Sequence, residues 1–291
     1  MIDESLRHRL EALNRGPIAP SIMPSSAVAA PIRRVAKAAA AAPAASPLRP
    51  GLVKPIPGLV RRGEAVTNEL GEHWRVCIEL EELWPGGAQL VERRHARLQS
   101  QASAEPSEMT SFLQAFPDRA LLLDLETCGF SGCALFLVGV LRSIDGQLVV
   151  ELLLARNYAE ESAVLASLWK RVDAEGVVVT FNGKSFDWPM VVDRSRRHLL
   201  FRGERLPQPT HLDLLHAARR RWRSELPDCK LQTLEQRICG RSRTGDIPGS
   251  QIPAAYQEYV RTGFEREMDA ILLHNAIDVV TLLDLSMRLA Q

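Results

Sequence analysis

Asp124 and Glu126 in ALLLDLETCGF, Asp187 in VTFNGKSFDW and Asp278 in ILLHNAIDVV each stand in or directly after a strongly apolar segment. Two ionised carboxylates about 4 Å apart repel by roughly 4 kcal/mol at an effective dielectric near 20. Four of them converging on one pocket are tolerated mainly when a divalent cation neutralises them, so the pattern points to metal-dependent chemistry.

The spacing within each motif decides what can share a pocket. Side chains on a strand repeat every two residues, which puts Asp124 and Glu126 on one face about 7 Å apart along the backbone. In FNGKSFD an apolar strand, GVVVTF, runs into Asn182 and Gly183 and then a helix start that carries Asp187. Such a junction presents side chains at a sheet edge: Asn182 is placed to fix the turn or touch a sugar and Lys184 to contact phosphate, while Phe186 is expected to pack under the site. His274 precedes Asp278 by four residues on a long amphipathic helix, so the two share a face, and a histidine beside an acid suggests water activation. Asn275 and Asp284 are expected to point elsewhere. Asp213 in THLDLLHAARR fits a helix N-cap better than a fifth site acid.

The elements that must position these residues follow from periodicity. Strands are expected at 120–126, 133–141 and 147–154, a helix at 159–173, a strand at 177–181, a helix near 185–199, a short strand at 210–213, and helices to the end. Three successive strands form an antiparallel meander, and the later strands, separated by helices, add in parallel on one side. The fold class is therefore α/β, a mixed central sheet flanked by helices, spanning residues 116–291, an arrangement that resembles the ribonuclease H-like one. Residues 61–115 read as a small β-containing segment, in which HWRVCIELEEL, then WPGG and AQLVERRHARL suggest a strand pair, followed by a polar, disorder-prone connection through SQASAEPSE. Residues 1–60 read as a disordered Ala/Pro-rich basic tail, because repeated prolines interrupt helix and sheet alike.

The net charge of +1 conceals an uneven distribution: residues 1–62 hold ten lysines and arginines against three acids, leaving the remainder acidic. No stretch approaches the roughly 18 unbroken apolar residues of a membrane span, and MIDESLRHRLEALNR does not read as a signal peptide, so a cytoplasmic protein without a membrane partner is expected. The five cysteines are odd in number and contain no C-x-x-C, which argues against a disulfide framework or a zinc knuckle. The run ARRRWR at 218–223 suits either a nucleic-acid strand or a solvated helix face with a buried Trp222.

Taken together, D-x-E at Asp124 and Glu126, N-x-x-x-F-D from Asn182 to Asp187 and the terminal acid Asp278 resemble the DEDD (DnaQ-like) 3′-to-5′ exonuclease superfamily. DLETCGFSGCALFLVGV, FNGKSFDWPMV, THLDLLHAARRRW, DCKLQTLEQRICG and HNAIDVVTLL, in this order, look like the YprB-like ribonuclease H-like group. The third motif departs from the superfamily pattern, with histidine at the four-residue spacing used there by tyrosine. The resemblance implies a nuclease acting on DNA or RNA with two Mg²⁺ or Mn²⁺ ions held by Asp124, Glu126, Asp187 and Asp278. It also implies His274 as the group that orients or deprotonates water, and Thr127, Asn182 and Lys184 as substrate contacts. A noncatalytic nucleic-acid-binding module and a structure-selective endonuclease remain alternatives on the same fold; protein partners are left open.

Overall fold

The computed structural model describes residues 51–101, 105–129 and 133–291. In chain order the principal elements are β1 (Gly51–Val53), β2 (Glu64–Asn68), β3 (Gly71–Glu79), α1 (Gly87–Gln101), α2 (Glu108–Ala115), β4 (Ala120–Thr127), β5 (Leu135–Ile144) and β6 (Gln147–Leu154). They are followed by α3 (Glu161–Trp169), β7 (Val177–Thr180), α4 (Asp187–Arg197), β8 (Thr210–Asp213), α5 (Leu214–Trp222), β9 (Arg241–Arg243), α6 (Ile252–Thr262) and α7 (Arg266–Leu289).

Seven strands form one sheet in the order β2-β3-β6-β5-β4-β7-β8. The run from β2 to β4 is antiparallel, and β7 and β8 add in parallel beyond β4. The meander and its parallel extension are those expected from the order of apolar runs. LFLVGVL in β5 and VVVT in β7 are buried throughout, the signature of strands covered on both faces. Helix α7 packs across β4, β5 and β6, and its residues from Ile271 to Met287 are buried. Its length and apolar content alone would suit a membrane span, but here its apolar surface is taken up by the sheet.

Two expectations about the first third of the chain are corrected. The segment at 61–115 is not a separate unit, and AQLVERRHARL is not a strand but part of α1, burying Val91, His95 and Leu98 at helical spacing; β3 pairs with β6 over six residues, because the alternating HWRVCIE supplies Val76 and Ile78 to the core and the open meander edge supplies hydrogen bonds. The tail boundary at 60 falls too late. Residues 51–53 pair in parallel with β9, Leu59 and Val60 are buried, and the amides of Gly58 and Val60 donate to the Asp269 carboxylate at 2.7 and 2.8 Å. Prolines at 55 and 57 made this stretch look like linker, yet apolar anchors and one carboxylate on α7 hold it. The earlier part of the expected tail, 1–50, lies outside the described residues.

Candidate active site

Three chain segments meet at the carboxyl end of β4. Strand β4 carries Asp124 opposite Gly139 of β5, with a register shift between Glu126 and Thr127. Because β7 runs parallel to β4, its carboxyl end delivers the Asn182–Gly183 turn to the same edge. Asn182 has φ +65°, a left-handed conformation that asparagine tolerates better than most residues. A Cβ on Gly183 would sit 2.4 Å from Thr180 Oγ1, so only glycine fits there. The turn is then clamped by Asp213, whose carboxylate accepts from the amides of Asn182 at 2.8 Å, Lys184 at 3.1 Å and Leu215 at 3.0 Å. Asp213 is thus the N-cap of α5 and is fully used in that role. The fixed turn sets Asp187 at the start of α4, where its own amide and that of Leu125 on β4 favour the charged carboxylate.

Helix α7 contributes the rest. His274 Nε2 lies 3.3 Å from Asp278 Oδ2 and 4.0 Å from Glu126 Oε1, as the four-residue spacing requires. Asn275 does not point elsewhere: its Nδ2 donates to Asp124 Oδ2 at 2.8 Å, and a Cβ on Gly139 would fall 1.8 Å from its Oδ1. Asn275 is three residues before Asp278, so it shares that helix face, and the missing side chain at Gly139 gives it room.

Several residues of the cluster carry no local sequence signal. Asp246 accepts a hydrogen bond from His274 Nδ1 at 2.8 Å. Arg243 of β9 donates to Asp278 Oδ1, to the carbonyl of His274 at 3.2 Å, and to both oxygens of Glu235. A cavity of about 340 Å³ opens beside His274, walled by Val53, Ile56, Leu273 and Asp246, with the exposed Arg266 on its lining.

The remaining candidates are placed differently. Thr127 Oγ1 donates to the carbonyl of Gly129 at 2.6 Å, and Lys184 is exposed with its ammonium on Glu108 of α2. Phe186 does not pack under the site but stands 67% exposed beside Asp187. In ARRRWR, Trp222 is buried while Arg219, Arg220, Arg221 and Arg223 are exposed, the solvated-face arrangement, which still leaves four cations at the surface.

Electrostatics separate the site acids from the others. Burial opposes ionisation of Glu151, yet Arg171 and Arg142 outweigh it and hold its pKa at about 2. Arg194 pairs with Glu161, which His198 Nε2 also approaches at 2.9 Å, and Arg94, Arg241 and Arg288 surround Asp284. Asp124, Glu126 and Asp187 have no such partner: among the described residues no Lys or Arg forms an ion pair with any of them. Removal from water raises Asp124 well above the usual carboxylate range, helped by repulsion from Asp278, Asp187 and Glu126. Desolvation likewise lifts Glu126 to about 8, against the attraction of His274, and Asp187 to about 7, against its backbone donors. Asp278 goes the other way, because Arg243 and His274 overcome its desolvation. His274 resists charging by burial, but Asp246 and Asp278 push its pKa up to about 11.

A sequence model of the RNase H superfamily matches residues 121–290, more than half of the chain and the whole stretch from β4 through α7. This chain belongs to the RNase H superfamily. It is also 34% identical over 173 residues to the uncharacterized protein YprB of Bacillus subtilis (strain 168), across 58% of this chain and 41% of that protein. The chain thus spans well under half the length of that relative. Every segment that carries a site carboxylate lies inside the RNase H superfamily match, whereas β1 to β3 lie before it. The mixed sheet with helices packed on it is the nuclease-type architecture of the superfamily.

Proposed function

We propose that this chain hydrolyses phosphodiester bonds of nucleic acid from the 3′ end, as a DEDD-type exonuclease dependent on Mg²⁺ or Mn²⁺. The observation that carries the reading is the contrast in charge compensation: of the buried acids elsewhere, Glu151, Glu161, Glu235 and Asp284 are paired with arginine and Asp213 with backbone amides, while Asp124, Glu126 and Asp187 converge without any arginine. Their hard oxygen donors suit a Mg²⁺-class ion and their mutual repulsion would be relieved by one. Among the described residues no three His, Cys, Asp or Glu side chains stand close enough to clasp an ion as they are, so these oxygens must draw together on binding it. Asp278 would contribute through the oxygen that Arg243 leaves to it. What such an ion supplies when held there is polarisation of a phosphoryl oxygen and a more acidic water.

The protein's own groups then have distinct tasks. As an imidazolium, His274 donates toward a phosphate oxygen and supplies counter-charge; it accepts a proton from water only once its acidic neighbours are neutralised and its pKa falls. The rigid Asp213 clamp fixes Asn182 and Lys184 at the rim, and Lys184 exchanges Glu108 for a backbone phosphate. The cavity beside His274 has the size and apolar walls for one nucleotide, and the exposed arginines of α5 attract the polyanion.

The test is hydrolysis of end-labelled single- and double-stranded DNA and RNA by the purified chain with Mg²⁺, Mn²⁺ or chelator. Stepwise shortening from the 3′ end, abolished by chelator and by Asp124→Asn or Asp187→Asn in folded protein, is the expected result. Unchanged hydrolysis by both variants would sink the site assignment, and internal cuts on a substrate with a blocked 3′ end would replace the exonuclease reading with an endonuclease.

A further inference from the structure

Resting on the cation-dependent reading above, we propose that Arg243 is a built-in counter-ion of the carboxylate cluster, occupying Oδ1 of Asp278 in competition with a divalent cation. All three guanidinium nitrogens are used: Nη2 donates to Asp278 Oδ1, Nη1 to the carbonyl of His274, and Nε to Glu235 Oε1 at 2.9 Å. The side chain is 7% exposed, so this is no surface arginine that happens to lean inward. Glu235 is buried on a short π-helical segment, Glu235–Cys239, with Thr281 Oγ1 as its other donor at 3.0 Å. Arg243 cannot swing away without stranding that buried anion.

The second oxygen of Asp278 faces His274 Nε2 at 3.3 Å, so both oxygens of this carboxylate meet protein nitrogens. The other three site acids meet neither arginine nor lysine. Asp278 is therefore held in place by fixed nitrogens before any cation arrives, and a cation entering beside it meets the repulsion of a fixed positive charge. Arg243 is a positioning residue that acts through Asp278: it preorganises the acid and weakens the grip of the site on its ion. Its own position is set by β1, whose residues 51–53 pair with Arg241, Ser242 and Arg243.

Mn²⁺ binding to the full chain, measured by calorimetry without nucleic acid, tests the idea. Arg243→Gln should bind Mn²⁺ about tenfold more tightly than wild type, because a nearby cation is removed. Arg243→Lys keeps the charge and should stay within about threefold. Since Arg243→Gln strands Glu235, the double variant Glu235→Gln with Arg243→Gln removes the buried pair together and should also tighten binding severalfold at unchanged net charge. Wild-type or weaker affinity in the double variant overturns the proposal. If Asp124→Asn has meanwhile abolished binding, the cation site itself survives; if wild type binds no Mn²⁺, the proposal and the cation-dependent reading fall together.

Discussion

Removing residues 1–60 should unfold a protein that tolerates removal of residues 1–50, which end just before β1. Leu59 is fully buried and Val60 is 5% exposed, and losing two such side chains from a core costs about 1.5–3 kcal/mol each. The amides of Gly58 and Val60 both donate to Asp269, and hydrogen bonds to a charged acceptor contribute roughly 1.5–3 kcal/mol apiece. Trp74 Nε1 also donates to the carbonyl of Val60 at 2.8 Å. The sum, about 6–12 kcal/mol, is comparable to the whole stability of an ordinary domain, about 5–15 kcal/mol. At roughly 2–4 °C per kcal/mol for a unit of this size, the longer deletion should melt at least ~12 °C lower or not fold cooperatively. Thermal and urea melts of both truncations, followed by tryptophan fluorescence, make the comparison, with Trp74 as a local reporter. Melting points within about 3 °C of each other would refute the argument that Leu59 and Val60 anchor this segment to the core.

Gly139→Ala places a methyl group 1.8 Å from Asn275 Oδ1, and overpacking of this kind costs about 1–3 kcal/mol; a lowered melting point with loss of nuclease activity is expected, and a neutral substitution would show that Asn275 does not depend on the missing side chain. In chelator, raised acids make the folded state less stable as pH climbs from the unfolded Glu126 value of 4.5 to about 8, and the contribution of the raised His274, complete below 6.5, is lost toward about 11. The cation-free protein should accordingly melt at a higher temperature at pH 6 than at pH 9, and the opposite order would contradict the charge assignment. At pH 7, Mn²⁺ binding should release roughly one to two protons from Glu126, Asp187 and Asp124, read by calorimetry in buffers of different ionisation enthalpy; zero release would mean that these groups are already ionised. Asp246→Asn should lower the pKa of the His274 ring by about 1 to 3 pH units, followed by NMR titration, and an unmoved ring would assign its charge to Asp278 alone.

Which parts of this arrangement are legible in the sequence depends on how far the physical cause lies from the residue. Asp124 and Glu126 share a face because a strand has period two, and His274 faces Asp278 because a helix brings residues four apart together; both causes are local and both are readable. The meander and the parallel strands follow from the order of apolar runs. Asn275 was readable by the same helical arithmetic, three residues from Asp278, but its purpose depends on the glycine opposite Asp124, which only strand register reveals. Arg243, Asp246 and Glu235 reach the cluster through a second, two-stranded sheet that joins residues some 190 positions apart. No periodicity announces it, since β1 has three residues next to prolines. The anchoring of residues 51–60 is hidden for the same reason: composition reports the cost of ordering the segment, and the compensating contacts sit on α7, β9 and Trp74.

The placement of α7 bears on how the molecule comes to exist during synthesis. It follows every strand in the chain, yet it supplies His274, Asn275 and Asp278 and covers the apolar faces of β4, β5 and β6. A nascent chain from which only the strands have emerged presents an open, greasy sheet and a half-built acid cluster. That intermediate keeps apolar surface exposed until the helix covers it. On the function proposed above, the chemistry would wait until α7 docks, because a fragment ending before residue 274 lacks His274, Asn275 and Asp278.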